Sequence, residues 1–360
     1  MANDPRRREF LKKASVAAAT LSVGPTTLSS DRTRASKKVL SGGQGSLATV
    51  ELENQWFSLQ ILPEVGAKIY DLVWKPSGKH VLWHNPRIAP QTYPIEAEFD
   101  NYWCGGWDDG FPTDDECVFR GQRYPDLGEL RSLHWKVDSV RREGDEGIAQ
   151  LSTFGPISPV KAVKTVTVTE RAPVVRVRYG VTNLGPMDVD FLWGTHAALS
   201  VTPRTILRIP AKEGIVDRCN DPRLGRAGQH YQWPILDTAA GRIEMDKVRG
   251  IEANLFFGHY AVGLTGGWYA VEDSESGEGF LVTFPLDKCP CLWVWMNYGG
   301  FRGHYHVIVE PWTSIPVNLV QAYEQKSSRS LKQGEEFSVE IKATVYVKPE
   351  TWDRALERLS

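Results

Sequence analysis

Short strand-like runs separated by glycine, proline, asparagine and aspartate most constrain how this chain can fold. The clearest pair is residues 163–169 (VKTVTVT) and 174–182, joined by a short turn. In the second run, valine and tyrosine alternate with arginine, which predicts one buried and one solvated face. No sustained alternation of strand and helix follows, which argues against a parallel doubly wound sheet. We therefore expect an all-β fold, a large antiparallel β-sandwich with few short helices.

The remaining strand candidates span most of the chain after residue 46. They comprise residues 49–52, 57–62, 68–74, 189–195, 279–284, 292–297, 304–310 and 337–347. Only residues 351–359, which follow Pro349, have the pattern of an ordinary helix. We expect residues 46–360 to form a single domain without repeats.

Composition excludes several classes of protein. The 42 basic and 44 acidic residues leave a net charge of -2, so neither nucleic acid nor an acidic membrane surface is an expected partner. A hydrophobic fraction of 41% excludes a disordered chain. Five cysteines in 360 residues exclude a disulfide-stapled scaffold. Tryptophan is as frequent as phenylalanine, with 13 of each, so some indole rings are expected to face a ligand.

Residues 1–45 are predicted to be an export signal followed by a linker. The run RRREFLKK at residues 6–13 resembles the twin-arginine motif, and the mild apolar stretch 14–23 follows it. A solvated basic tail is the alternative, but a tail has no need of the apolar stretch. That stretch is too short to cross a bilayer. We expect the twin-arginine export machinery as a partner, a periplasmic or secreted location, and no membrane span in the mature protein.

A carboxylate and two imidazoles share one face near the C-terminal end. Residues 289–311 (CPCLWVWMNYGGFRGHYHVIVEP) predict two strands around a glycine turn, and period-two alternation puts His304, His306 and Glu310 on one side. Partial desolvation raises the pKa of a carboxylate toward the operating pH, as general-base catalysis requires. A structural carboxylate at the strand end, or a metal site built with the two histidines, are the alternatives. We expect no metal and no cofactor.

Tryptophan and aspartate are combined in a way that suits a sugar. Trp293 and Trp295 alternate on one face of the first of these strands, and the loop at residues 101–116 (NYWCGGWDDGFPTDDE) contains Trp107 and Asp108. An aromatic face covers the C–H groups of a sugar while carboxylates accept hydrogen bonds from its hydroxyls. A solvated acidic turn and a calcium loop are the alternatives, although the acids lack EF-hand spacing.

One further imidazole lies at the end of an apolar strand. His196 belongs to the run FLWGTHAAL at residues 191–199, and Gly194 leaves room beside its ring. A single histidine on such a strand is commonly a packed core residue, which is the alternative to a catalytic role.

These segments, in this order, resemble the aldose 1-epimerase or galactose-mutarotase-like superfamily. The resemblance extends over most of the chain after residue 47. Its segments are ILPEVGAKIYDL, GGWDDGFP, YPDLGEL, LWGTHAAL, VIVEPWTSIP and LKQGEEFSVEI. It implies a many-stranded antiparallel supersandwich that binds a sugar on its concave face.

The resemblance also implies roles for two residues. His196 matches the family histidine that protonates the ring oxygen of the sugar, and Glu310 matches the glutamate that takes the proton of the C1 hydroxyl. Together these transfers open the hemiacetal, and their reversal after rotation about the C1–C2 bond gives the other anomer.

The chain departs from the family in the segment YPDLGEL. Relatives often have a histidine before Gly-Glu that helps to hold the sugar, and here Leu127 occupies that position. Asp126, Glu129 or Arg131 are candidates to substitute for it. Asp217 is a possible counterpart of the family aspartate that binds sugar hydroxyls.

Three hypotheses follow. The first is an exported, cofactor-independent sugar mutarotase or related epimerase that acts on a small-molecule or oligosaccharide ligand. The second is a carbohydrate-binding protein of the same fold without turnover, which the departure at Leu127 favours. The third is a polysaccharide lyase or hydrolase on a related sandwich, with Glu310 and either Asp108 or Asp109 as a carboxylate pair.

Overall fold

Antiparallel strand pairing organises most of the described chain. The structure is a computed structural model that describes residues 33–42 and 45–360. In this part of the chain, two large sheets contain twelve and eight strands, and three two-stranded sheets accompany them. The paired strands run antiparallel in both large sheets. The predicted all-β fold is therefore confirmed.

The strands are numbered in chain order. The first thirteen are β1 (Arg34–Gly42), β2 (Gly45–Glu53), β3 (Phe57–Leu62), β4 (Lys68–Trp74), β5 (Lys79–His80), β6 (Trp107–Gly110), β7 (Cys117–Phe119), β8 (Gln122–Tyr124), β9 (Lys136–Glu143), β10 (Glu146–Phe154), β11 (Val160–Thr169), β12 (Val174–Asn183) and β13 (Val189–Phe191). The next thirteen are β14 (Gly194–Leu199), β15 (Thr205–Arg208), β16 (Glu213–Cys219), β17 (His230–Gln232), β18 (Ile235–Thr238), β19 (Gly241–Glu244), β20 (Leu255–Val262), β21 (Trp268–Asp273), β22 (Gly279–Thr283), β23 (Cys291–Tyr298), β24 (Tyr305–Trp312), β25 (Arg329–Leu331) and β26 (Glu336–Tyr346).

Two short α-helices complete the described elements, together with two 3-10 turns. The helices are α1 (Leu319–Glu324) and α2 (Trp352–Leu359), and the turns are Phe99–Asn101 and Ile251–Ala253. Only α2 was expected, because six residues are too few for α1 to show helical periodicity in the sequence. Among the described residues, neither helix has the length and apolar character needed to cross a bilayer.

The two large sheets face each other across one apolar core. The larger has the order β1-β2-β3-β4-β6-β14-β24-β23-β20-β16-β17, with β5 added to β4, and the smaller has the order β15-β21-β22-β26-β12-β11-β10-β9. Leu59 and Leu72 of the larger sheet share the core with Val177 and Ile341 of the smaller. Strands β6, β14 and β24 lie in the middle of the larger sheet. Each of them is therefore paired on both sides, and the side chains on its outer face are flanked by those of neighbouring strands.

Strand β12 shows why these residues form a sandwich layer. Val175, Val177 and Tyr179 are at most 2% exposed, whereas Arg178 is exposed and Arg176 half-buried. The alternation predicted from the sequence is therefore confirmed, and burying each apolar side chain stabilises the sheet contact by about 1.5–3 kcal/mol.

The predicted strand at residues 189–195 is interrupted. Its first part is β13, which pairs with β25, and its last part opens β14, which pairs with β6 and β24. Between them, the N–H of Leu192 donates to the carbonyl of Pro112, and the N–H of Trp193 donates to Thr313 Oγ1. The chain changes sheets at these two residues, which apolar alternation cannot reveal.

The N-terminal edge of the larger sheet also differs from the prediction. Strand β1 pairs with β2 from Arg34 opposite Glu53 to Gly42 opposite Gly45. From sequence, residues 34–42 were assigned to the export segment and its linker, because lysine and serine mask any apolar alternation. Polar and charged side chains are common on edge strands, where they discourage pairing with other chains. The twin-arginine segment 6–13 and the apolar stretch 14–23 lie outside the described residues.

A buried ion pair joins the two sheets. Lys164 of β11 and Asp109 of β6 approach to 2.6 Å between Nζ and Oδ2, and their side chains are 0% and 7% exposed. Burial raises the pKa of Asp109, and the ammonium group of Lys164 opposes that rise. Removing either partner would leave a charge in the core without compensation.

We expect Lys164→Met to lower the free energy of unfolding by about 3–5 kcal/mol, because Asp109 then stays buried without its partner. Urea denaturation measures the change. The double variant Lys164→Met/Asp109→Leu should recover part of the loss, since it removes both charges. A single-variant loss below about 1 kcal/mol, the range of a surface pair, would contradict this account.

Candidate active site

Four side chains from neighbouring strands form one row across the outer face of the larger sheet. His196 of β14 lies opposite Asp108 of β6. The residue pairs on either side of it in the β14–β24 register put His196 opposite Glu310. Glu310 in turn lies opposite Trp293 of β23. Directly opposed residues on one face are close neighbours, so the fold places an imidazole between two carboxylates.

The distances within this row leave two polar atoms facing each other. His196 Nε2 lies 3.9 Å from Glu310 Oε1, and His196 Nδ1 lies 4.0 Å from Asp108 Oδ2. Trp312 Nε1 donates to Glu310 Oε2 at 2.9 Å. Glu310 Oε1 and His196 Nδ1 have no hydrogen-bond partner. Because buried polar atoms are nearly always paired, the unpaired Oε1 of Glu310, which faces His196 Nε2, marks a place where a ligand can bind.

Asp108 is held by charged and polar partners. Lys68 Nζ lies 3.1 Å from Asp108 Oδ2 and donates to the carbonyl of Gly105 at 2.7 Å. Trp103 Nε1 also donates to Asp108 Oδ2, at 3.1 Å. Although burial opposes the charged form, the carboxylate raises the pKa of Lys68. Lys68 therefore stays cationic and balances the negative charge beside the imidazole.

Burial decides where the proton of the central pair resides. It raises the pKa of Glu310 well above its usual range, against the hydrogen bond from Trp312. It lowers the pKa of His196 to about 4, although Asp108 favours the protonated ring. Burial therefore favours a proton on Glu310 beside an uncharged imidazole.

A cavity of about 210 Å³ lies next to this row. It is lined by Phe99, Asp100, Trp103, Asp114, Asp115, Asp126, Arg218, Phe256, Trp293, Trp295, Phe301, His304 and His306. The ring of Trp103 meets the ring of His196 edge-on, with centroids 5.4 Å apart. Glu310 is fully buried and His196 is 7% exposed, and neither lines the cavity. Trp103 and Trp293 adjoin both the cavity and the acid–base pair.

Aromatic rings form one wall of the cavity. Trp293 and Trp295 stack with their planes 6° apart and their centroids separated by 5.7 Å. The guanidinium of Arg218 lies 5.5 Å from the ring of Trp293. Phe256 and Phe301 pack against Trp295, at 4.9 and 5.7 Å between centroids. The result is a fixed aromatic surface of the kind that covers the C–H groups of a sugar.

Carboxylates supply most of the polar lining. Asp100, Asp114, Asp115 and Asp126 all face the cavity, and Arg218 Nη2 pairs with Asp115 Oδ1 at 3.1 Å. Burial, reinforced by neighbouring carboxylates, raises the pKa of Asp126 to about 7 and that of Asp114 well above its usual range. The cavity is therefore rich in carboxyl groups that can hydrogen-bond to a ligand.

The two histidines of β24 and its preceding turn lie on the cavity wall. Burial lowers the pKa of His304 to about 4 and that of His306 well below its usual range. Trp83 packs against both rings, with centroids 5.1 and 4.6 Å away. Neither nitrogen of His306 has a hydrogen-bond partner. Within residues 33–42 and 45–360, neither histidine belongs to a group of three side chains close enough to hold a metal ion.

Trp107, which was predicted to contact a sugar, does not line the cavity. Its side chain is 1% exposed and lies in the core between the sheets, where Nε1 donates to Thr195 Oγ1. Successive residues of β6 point to opposite faces, so Trp107 and Asp109 face the core while Asp108 faces outward. The sequence pattern did not reveal which face of β6 is the outer one.

Glu129 and Arg131 do not line the cavity. Glu129 is fully buried and accepts hydrogen bonds from the backbone N–H groups of Ile157, at 2.7 Å, and Ser158, at 3.1 Å. Arg131 is 2% exposed, and its guanidinium lies 4.9 Å from the ring of Phe99. Both side chains hold loops in place.

Asp217 and Leu127 take supporting positions. Asp217 Oδ2 pairs with Arg218 Nε at 2.5 Å and therefore orients the guanidinium that lies over Trp293. Leu127 is 1% exposed and belongs to the apolar cluster that contains Trp312. The departure from the family pattern thus places an apolar side chain where relatives often have an imidazole.

The sequence analysis missed several cavity residues. Asp114 and Asp115 belong to the loop 101–116, whose composition was the available signal. Arg218 follows the candidate Asp217 directly, and its role depends on a pairing across the fold that sequence does not show. Phe99 comes from a short 3-10 turn with no distinctive pattern.

Comparisons with known proteins identify the fold. No protein-family model and no curated protein matches the sequence. A candidate aldose 1-epimerase from Klebsiella pneumoniae is 15% identical with a TM-score of 0.65, over 86% of this chain and 83% of that one. A galactose mutarotase-like protein from Clostridium acetobutylicum is 14% identical with a TM-score of 0.59, over 88% and 99%. A galactose mutarotase related enzyme from Lactobacillus acidophilus is 15% identical with a TM-score of 0.56, over 83% and 97%.

At these identities the comparisons show the fold and not the chemistry. The chain has the antiparallel sandwich of aldose 1-epimerases and galactose mutarotase-like proteins, and the resemblance found in the sequence is confirmed at that level. The roles of the individual site residues remain to be argued from their geometry.

Replacing Asp126 with asparagine tests the electrostatics of the cavity. The pKa of Asp126 is about 7 in the folded protein against an ordinary value of 3.8, so folding favours its neutral form and the carboxylate costs stability as pH rises through that interval. Asp126→Asn should therefore raise the Tm at pH 8 by about 2 °C or more and leave it unchanged at pH 4. Differential scanning calorimetry measures both.

Asp237→Asn is the matched control, because the side chain of Asp237 is 75% exposed. It should change the Tm at neither pH. An equal Tm for wild type and Asp126→Asn at pH 8 would contradict the assigned environment of Asp126.

Proposed function

We propose that the protein is a cofactor-independent sugar mutarotase or closely related epimerase. The observation that supports this most directly is the meeting of His196 and Glu310 at 3.9 Å, with Glu310 Oε1 left without a hydrogen-bond partner. Anomer interconversion requires one group that accepts the proton of the anomeric hydroxyl and one that protonates the ring oxygen. Two adjacent groups sharing one proton meet that requirement.

The reaction proceeds by two balanced proton transfers. As the base removes the proton from the C1 hydroxyl, the acid protonates the ring oxygen, the C1–O5 bond breaks, and an open-chain aldehyde forms. Rotation about C1–C2 exposes the other face of the carbonyl to the C5 hydroxyl. Reversal of both transfers closes the ring and restores the enzyme, so no cofactor is consumed.

Burial favours the opposite distribution of the proton from the one that the family resemblance implies. The resemblance makes Glu310 the base and His196 the acid, whereas burial raises the pKa of Glu310 and lowers that of His196. Moving that proton to His196 changes no charge on the pair as a whole, and Asp108 next to Nδ1 stabilises the imidazolium that results. Either distribution provides one donor and one acceptor.

Access to the pair requires movement of aromatic side chains. Glu310 has no exposed surface, and Trp293, which lies directly opposite it in the sheet, lines the cavity. A sugar bound against Trp295 would reach His196 and Glu310 once one of these rings rotates. Closing over the sugar would then exclude water from the proton transfers.

The cavity chemistry supports a neutral sugar. Four aspartates line the cavity, and the arginine that lines it, Arg218, already pairs with Asp115 and Asp217. This excess of acidic groups disfavours uronates and sugar phosphates. The aromatic wall and the many acceptor oxygens match the C–H faces and hydroxyls of an uncharged pyranose.

A carbohydrate-binding protein without turnover is the second candidate. Two observations favour it: the complete burial of Glu310 and the apolar side chain of Leu127. The hydrolase alternative has less support. Asp109 faces the core in its pair with Lys164, and Asp108 is separated from Glu310 by the strand that carries His196.

We also propose that the protein is exported through the twin-arginine machinery to the periplasm or beyond. The support is the sequence RRREFLKK with its following apolar stretch.

Substitution of the two central residues tests the catalytic proposal. Glu310→Gln and His196→Ala should each slow enzyme-catalysed anomer exchange by about 10²-fold or more, because each removes one proton-transfer group. Polarimetry on freshly dissolved sugars or NMR exchange spectroscopy measures the rate, and calorimetric titration measures sugar binding. Glu116→Gln, in the exposed pair with Arg123, should retain wild-type rates.

Binding that persists in both variants while exchange is lost supports catalysis by this pair. Sugar binding by a wild-type protein that does not accelerate exchange favours the second candidate instead. Release of sugars from an oligosaccharide favours the hydrolase.

The pH dependence of kcat/KM should reflect the shared proton. Below about pH 4 the imidazole of His196 becomes protonated, so the pair loses its proton acceptor and activity should fall. On the alkaline side, activity should fall only when Glu310 ionises, well above the usual range of a carboxyl pKa. A profile whose acid limb lies near pH 6.5 would contradict the neutral resting imidazole.

A further inference from the structure

A second group of ionisable side chains lies on the larger sheet apart from the aromatic cavity. It consists of Asp71, His80 and His84, and none of the three lines that cavity. We propose that these residues bind a divalent transition-metal ion such as Zn²⁺. The proposal concerns a site separate from the proposed sugar chemistry and does not depend on it.

The backbone brings the three residues together. Asp71 belongs to β4, and His80 belongs to β5, which pairs with β4. The register of β3 against β4 shifts by one residue next to Tyr70. Such a bulge turns a side chain toward the other face of the strand. Asp71 therefore points outward beside His80, although unbroken alternation from the buried Ile69 would have pointed it into the core.

The donor atoms already have separations suited to a metal. His80 Nδ1 lies 2.9 Å from Asp71 Oδ2, and His84 Nε2 lies 3.4 Å from Asp71 Oδ1. One donor atom from each of the three residues lies within 4.8 Å of the others. Tetrahedral zinc with bonds of about 2.0–2.2 Å to nitrogen and oxygen holds its ligand atoms roughly 3.4 Å apart. Small side-chain adjustments would therefore complete the coordination.

Part of the site is preorganised. The ring of Tyr70 stacks on His84 with centroids 4.3 Å apart and planes at 15°. His84 Nε2 donates a hydrogen bond to the carbonyl oxygen of Tyr70 at 2.9 Å, so binding of the ion through this nitrogen would give up that bond and release its proton. The side chain of His80 is 58% exposed, whereas those of His84 and Asp71 are 27% and 18% exposed. The more exposed imidazole can close over a bound ion while water occupies a fourth position.

The donor set determines the class of ion. Two imidazoles and one carboxylate suit Zn²⁺, Cu²⁺, Ni²⁺ or Co²⁺ better than Ca²⁺ or Mg²⁺, which prefer oxygen ligands. A bound ion would link β4, β5 and the segment after β5, where His84 forms a bridge with Gly105. The expected consequence is a Tm that rises with the concentration of the ion.

Calorimetric titration of the untagged, EDTA-treated chain with ZnCl₂ tests the proposal. We expect one ion per chain, with Asp71→Asn, His80→Gln and His84→Gln each weakening the affinity by about 10-fold or more. The absorption spectrum of the Co²⁺ form should show a four- or five-coordinate ion and lose that signature in the same variants. His80→Gln changes an exposed side chain, so its result does not depend on altered folding.

His230→Gln is the matched control. His230 Nδ1 lies 2.6 Å from Glu213 Oε1 on an exposed surface, but the pair has no third ligand in the described structure. Its affinity for Zn²⁺ should equal that of the wild type. The proposal is overturned if 100 µM Zn²⁺ (about a hundred times a Kd of 1 µM) produces no binding, or if His230→Gln reduces binding as much as His80→Gln does.

Discussion

The register between strands β14 and β24 is the constraint on which the candidate site depends. Because those strands align position 196 with position 310, an imidazole and a carboxylate distant in sequence come within 3.9 Å. A slip of one residue would turn one of the two side chains into the apolar core between the sheets. The many paired strands on both sides of β14 and β24 oppose such a slip, so the acid–base geometry is a property of the whole sheet.

Burial gives this pair its chemical character. In water, the carboxyl group would be ionised and the imidazole partly protonated near neutral pH. In the sheet, desolvation raises the pKa of Glu310 and lowers that of His196, which favours the uncharged form of each group. Lys68 and Asp108 form a buried ion pair beside it at 3.1 Å, which keeps a negative charge near the imidazole without a net charge in the row. The environment thus provides a donor and an acceptor that do not depend on solvent pH over a wide interval.

Sequence reasoning recovered what period-two alternation and local composition can encode. The strands β3 and β4 have the predicted bounds, and Glu310 shares its face with His306 as expected. Sequence reasoning failed where the position of the partner sheet decides which face of a strand is buried. Trp107 and Asp108 are adjacent, and nothing in the sequence says which of them faces the core. Edge strand β1 was missed because its exposed side chains carry no apolar pattern.

Strand β4 shows how one local irregularity separates two chemical environments. Before the bulge, Lys68 points toward the row that contains Asp108, and Ile69 points into the core. Beyond it, Leu72 points into the core and Asp71 lies on the surface beside His80. Without the extra residue, Asp71 would be a buried carboxylate that lacks a cationic partner, at a cost of several kcal/mol. The same residue that prevents this cost leaves Asp71 free to meet two imidazoles, so the bulge accounts for both the stability of the strand and the proposed metal site.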